Sequence, residues 1–157
     1  MSVQEFERTL TPEQHRRLAA QLFNHVWTLM ETAQRTPEQD LQMIHQAHAS
    51  RFHWGEVGLP ANLARGEWQI SRVYSVLERP EPAILHAQRC LEHCLTAHLS
   101  DFDVAFAHEA LSRAHSIAGQ AEEAERHRRF AEAAGARIAD ADDRRLLLAD
   151  LATIGAG

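Results

Sequence analysis

The sequence predicts an all-α fold of stacked antiparallel helix hairpins: about seven helices, arranged as three hairpins and a C-terminal capping helix. Three observations carry this. Apolar residues recur with helical spacing throughout, and no segment alternates as a strand does. Ala and Leu outnumber the β-branched residues that favour sheets. The chain also repeats itself: displaced by 41 residues, ISRVYSVLERPEPAILHAQRC lies over LSRAHSIAGQAEEAERHRRFA without a gap.

The elements follow in order. TPEQ occurs at 11–14 and again at 36–39. Each copy reads as a helix start, with Thr11 and Thr36 as N-caps, a proline at the first helical position, and Gln14 and Gln39 closing a capping box. The first helix is expected to reach about Gln34 and the second about Trp54. GEVGLP, 55–60, reads as a breaker, because glycine and proline do not continue a helix cheaply. A third helix is expected from about Ala61 to Leu77, ending at ERPEP, and a fourth from Glu81 to His98. SDFD at 100–103 caps a fifth, which ends near Gly119. A sixth covers Ala121 to Ile138, and a short seventh follows DADD at 140–143.

In the repeat, Ser71 meets Ser112, Arg72 meets Arg113, Ser75 meets Ser116, Glu81 meets Glu122, Ala83 meets Ala124 and His86 meets His127. Apolar positions correspond too, Ile70 with Leu111 and Val76 with Ile117. Each unit resembles a tetratricopeptide (TPR) motif on Ile70, Ser71, Tyr74, Leu77, Ala83 and Cys90, and on Leu111, Ser112, His115, Gly119, Ala124 and Ala131. The resemblance covers residues 64 to 138. It departs from the family at Glu78, where a turn glycine is usual, and in a period longer than about 34 residues. The first two helices carry no such motif. The resemblance implies one TPR-like α-solenoid domain over 1–157: a divergent hairpin at 10–56, repeats at 61–98 and 101–139, and a capping helix at 140–154. Small bacterial proteins of this type are similar, and no activity carries over from them.

Composition narrows the function. With 45% hydrophobic and 24% charged residues, the chain is globular and long enough to bury a core. Its formal charge of −6 carries no nucleic-acid footprint. All 16 basic residues are arginine, which excludes lysine Schiff bases and the phosphate-binding lysine of P-loops. No apolar run approaches the roughly 20 residues of a membrane span. MSVQEFERTL lacks the basic start and apolar middle of a signal peptide. These features make a cytoplasmic protein the expectation.

HAQRCLEHC, 86–94, holds both cysteines. Ala83, Ala87, Cys90 and Cys94 share one helical stripe, expected to pack against a partner helix, and Ala131 replaces Cys90 in the sister unit. His86, Cys90, His93 and Cys94 would suit zinc by type, yet one straight helix does not surround a metal tetrahedrally. His45, His48 and His53 on the second helix, with His108 on the fifth, are the weaker metal candidates. His-Glu-x-x-His, Glu-x-x-His, the Gly-x-Ser-x-Gly elbow and glycine-rich phosphate loops are absent. No catalytic residue, metal or cofactor is therefore assigned, and a non-enzymatic role is expected.

Stacked hairpins curve, and curvature produces a concave surface. In TPR-like arrays the first helix of each pair lines it, which implies a groove made by Arg65, Trp68, Arg72, Ser75 and Val76 with Phe102, Phe106, Glu109, Arg113, Ser116 and Ile117. Aromatics mixed with guanidinium groups suit a peptide's apolar side chains and carboxylates. The leading expectation is a module that holds a peptide or partner protein in this groove, weighed against a face covered by the first helix, the C-terminal helix or a second subunit, with its arginines paired to glutamates. One alternative is a histidine-lined metal or small-molecule site between the second and fifth helices, open to an enzymatic role. Another is a self-associating domain, a homodimer in the simplest case.

Overall fold

The structure is a computed structural model that describes residues 9–155. The stretch read above for a leader, and the outer ends of the single-domain range, extend outside the described residues. Seven α-helices make up the described chain: α1 Pro12–Glu31, α2 Pro37–Val57, α3 Pro60–Val76, α4 Pro80–Thr96, α5 Asp101–Ile117, α6 Ala121–Gly135 and α7 Ala141–Ala152. Among the described residues there is no strand.

The helix starts follow the caps in the sequence. Both TPEQ boxes form: Gln14 N–H donates to Thr11 Oγ1 at 3.1 Å while Thr11 N–H donates to Gln14 Oε1 at 2.8 Å, and Thr36 with Gln39 repeats the pair. Asp140 opens α7 by accepting from the Asp142 and Asp143 amides, both at 2.9 Å. The breaker is narrower than expected. α2 continues through Gly55 to Val57 and stops at Gly58, and α3 begins at Pro60. A single glycine costs a helix only about 1 kcal/mol, whereas proline is preorganised for the first helical position.

Small side chains bring the helices together. Ala83, Ala87, Cys90 and Cys94 are all buried on α4, with both thiols free. The stripe in HAQRCLEHC is core. Ser71 Oγ donates to the Ala83 carbonyl at 2.8 Å, and forty-one residues on Ser112 Oγ donates to the Ala124 carbonyl at 2.8 Å. Each helix packs against the next in the chain. α3 also meets α1 and α5, and α5 meets α7. α2 and α5 do not pack against each other, so the histidine site imagined between them is not assembled.

Two apolar clusters decide where the functional face lies. Val26, Leu29, Met43, Ala47, Ile70 and Val73 join α1, α2 and α3. Phe106, Ala131, Ala134, Ile138, Leu147 and Leu151 seat α7 against α5 and α6. Gly135 makes that seat possible, because a Cβ there would collide with the Leu147 side chain. α7 is thereby fixed over one end of the face that α3 and α5 share.

Candidate functional site: a capped aromatic pocket

Arg72 on α3 and Arg113 on α5 occupy equivalent positions of the repeat, and both turn toward Glu109. The Glu109 carboxylate is completely buried, with Oε1 accepting from Arg72 at 3.2 Å and from Arg113 at 2.6 and 2.9 Å. Trp68 Nε1–H donates to its other oxygen at 3.3 Å. A buried carboxylate is tolerable only when its charge and lone pairs are met in this way.

α7 completes the network from outside. Arg72 donates to Asp150 Oδ2 at 2.9 Å, while Arg113 donates to the Asp150 carbonyl at 2.9 Å and to Thr153 Oγ1 at 2.8 Å. Farther along, Arg65 pairs with Asp103 at 2.9 Å, and its guanidinium lies 5.9 Å from the Phe102 ring centre.

Beside these ion pairs lies a cavity of about 350 Å³ lined by Phe23, Trp27, Ala64, Arg65, Trp68, Arg72, Cys90, Phe102, Asp103, Phe106, Leu146 and Asp150. Its walls are aromatic. Trp27 sits 5.6 Å from Trp68, Phe106 meets Trp68 edge-on at 6.0 Å, and Phe102 tilts against Phe106 at 4.8 Å. The Arg72 guanidinium stacks 5.1 Å from Trp68, which fixes that indole as a wall. A second cavity of about 310 Å³, with Arg72, Ser75, Arg113, Ser116 and Thr153 on its lining, is more polar. Ser75 Oγ is buried there without a hydrogen-bond partner.

The expected groove residues are therefore brought together, but not as an open strip. Arg65, Trp68, Arg72, Phe102 and Phe106 line the aromatic cavity, whereas Ser75, Arg113 and Ser116 belong to the polar one. Phe106, Ser75 and Glu109 are buried. The arginines expected to greet a peptide's carboxylates already hold Glu109, Asp103 and Asp150. Sequence reasoning missed Phe23, Trp27, Leu146 and Asp150, since α1 carries no repeat motif and the helices that could cover the face were named without residues. The signal was present in Phe23 and Trp27, two large rings one helical turn apart on α1.

The candidate histidines are dispersed. His45 is exposed. His48 Nε2 is hydrogen-bonded to Tyr74 Oη at 2.9 Å, and its ring meets that of His86 edge-on. Burial, then the neighbouring His86, lowers the His48 pKa. His53 pairs with His15 across 2.9 Å. His108 pairs with His127 at 3.0 Å, and burial followed by the His127 charge lowers its pKa to about 4. His86 contacts Glu67 at 2.7 Å, which Arg51 also meets at 3.1 Å. These are separate clusters on the side where consecutive helices pack.

Fold and site together define an all-helical protein with an aromatic, internally charge-neutralised pocket on the face shared by α1, α3, α5 and α7. Neither protein-family models, curated proteins nor solved structures gave a match to this chain. No helix among the described residues is long and apolar enough to cross a membrane.

Proposed function

We propose that this protein is a TPR-like binding module, not an enzyme, whose concave face anchors an apolar side chain of a partner protein or peptide in the aromatic pocket. In this reading α1–α2, α3–α4 and α5–α6 are successive hairpins, and the first helix of each lines the face. The supporting observation is the pocket's chemistry: five aromatic rings line it, while both guanidinium groups at its edge are already ion-paired. Such a site rewards the burial of an aromatic or long aliphatic group and offers little to a charge. We place the protein in the cytoplasm, a compartment that keeps thiols such as Cys90 and Cys94 reduced.

One observation favours a second reading. Asp150 of α7 and its C-cap Thr153 bind Arg72 and Arg113 across the face, so an extended chain has no continuous track and a compact apolar molecule fits the same space. A displayed peptide library separates the two. Enrichment of peptides with a shared aromatic anchor, abolished by Phe102→Arg, supports the module. Displacement of a bound apolar dye by small aromatics without any peptide enrichment supports the second reading. No enrichment and no dye binding would refute both.

A further inference from the structure

On the other side of α5, away from the aromatic pocket, α5 and α6 bring His115, Glu123 and His127 together. One ligand atom from each lies within 4.8 Å of the other two. We propose that these three residues form a binding site for a divalent transition metal of the zinc type, ligated by His115 Nε2, His127 Nε2 and a Glu123 carboxylate oxygen.

Hydrogen bonds at the far side of each ring set up the donors. His115 Nδ1 contacts Gln120 Oε1 at 2.6 Å; because an amide oxygen only accepts, Nδ1 carries the proton and Nε2 carries the lone pair. His127 Nδ1 is engaged by His108 Nδ1 at 3.0 Å, which leaves Nε2 for the metal. That atom lies 4.0 Å from Glu123 Oε2, while the other carboxylate oxygen is held by Arg126 at 3.3 Å. A ligating imidazole with its second nitrogen hydrogen-bonded is the usual supporting arrangement of protein metal sites. Bound at ordinary ligand distances of about 2.0–2.2 Å, the three donors would draw closer, and one coordination position would remain for water. The Glu123 side chain is 41% exposed, so its rotation can bring the carboxylate toward the metal, while a turn of the half-buried His115 ring brings the two imidazoles together. Arg126 is 60% exposed, and solvent screens its opposing charge.

The sister unit separates this arrangement from simple ring packing. There Tyr74, Pro82 and His86 stand at the equivalent positions. Tyr74 stacks on His86 at 5.9 Å and 16°, and His115 stacks on His127 at 5.6 Å and 2°. Packing therefore accounts for a ring on each helix. It does not account for a second imidazole where the first unit has a phenol, nor for a carboxylate one turn before His127 where the first unit has proline. Two imidazoles with one carboxylate suit zinc and its neighbours in the first transition row better than magnesium or calcium.

The test uses the untagged full-length chain, stripped with a chelator and titrated with Co²⁺ and then Zn²⁺. The expected result is one Co²⁺ per chain with visible absorption of low coordination number, displaced by one Zn²⁺. His115→Tyr, which rebuilds the stack of the sister unit, and Glu123→Gln should each weaken binding at least about a hundredfold. Gln120→Leu should weaken it by about 10- to 100-fold through loss of ring positioning. Cys90→Ala with Cys94→Ala should leave it unchanged. If His115→Tyr loses its helical circular dichroism, the exposed Glu123→Gln decides alone. Absence of saturable Co²⁺ binding, unchanged affinity in Glu123→Gln, or loss of binding in the cysteine variant would each overturn the site.

Discussion

Glu78 and Gly119, forty-one residues apart, take the same left-handed backbone, with φ of 56° and 73°. The bonds around them match as well: Arg79 N–H donates to the Tyr74 carbonyl and Gln120 N–H to the His115 carbonyl, both at 2.9 Å. Each closes a helix with the turn that usually carries glycine. Glu78 bears a Cβ in a region that disfavours one by about 1–2 kcal/mol. Glu78→Gly should therefore stabilise the protein by about 1 kcal/mol in urea unfolding. Gly119→Ala should destabilise it similarly, although no atom lies within 4 Å of the new Cβ. Equal midpoints for all three proteins would contradict this account of the turn.

The buried carboxylate makes the arginines structural. Removing Glu109, which is 0% exposed, leaves Arg72 and Arg113 without the buried carboxylate between them. Glu109→Ala should cost about 3–5 kcal/mol, the range for breaking a buried ion pair. Arg72→Ala combined with Arg113→Ala should cost a similar amount by stranding Glu109. A melting temperature unmoved by the double substitution would mean that the network adds nothing to the fold.

Stability should fall on mild acidification. Burial is the first cause lowering the pKa of His48, His53 and His93. A depressed folded pKa means that, below the unfolded value of about 6.5, the unfolded chain takes up protons the folded chain refuses. The stabilisation is complete above pH 6.5 and is lost as pH falls from there through the folded values. Urea midpoints at pH 7.5 and 5.5 should differ, with a smaller difference in His48→Gln. A midpoint constant across that interval would contradict the burial of these rings.

Cys90 should tolerate replacement. Its thiol is buried, and hydrogen bonding to Cys94 followed by desolvation pushes its pKa well up, which disfavours the reactive thiolate. The sister position is Ala131, also fully buried. Cys90→Ala should cost about 1 kcal/mol and leave the helix content intact. Rapid reaction of the native protein with a thiol reagent would show that the stripe is not core.

The helices were legible because their signals are local. Thr11, Thr36, Ser100 and Asp140 are caps within a few residues of what they cap, and Ala83, Ala87, Cys90 and Cys94 lie on one stripe of one helix. The pocket was legible only in part. Trp68, Arg72, Phe102 and Phe106 could be placed on one face through the repeat, but whether that face stood open or lay under another helix with its arginines paired was not decided by the sequence. α7 meets the two arginines through Asp150, and its position depends on Leu147 seating over Gly135, a contact set by tertiary packing. His115, Glu123 and His127 were hidden for the same reason. Glu123 and His127 stand one turn apart on α6, an ordinary pair, and only the α5–α6 packing adds His115 to them.

The central claim is that the cavity between Trp27, Trp68, Phe102 and Phe106 accepts an apolar group. The most direct measurement is a nuclear magnetic resonance titration of the ¹⁵N-labelled protein with N-acetyl-tryptophanamide, read at the indole N–H signals. The account predicts saturable shifts at Trp27 and Trp68, which line the cavity, with both lost in Phe102→Arg while the remaining spectrum stays folded. Shifts that grow linearly without saturation, or that persist unchanged in Phe102→Arg, would contradict it.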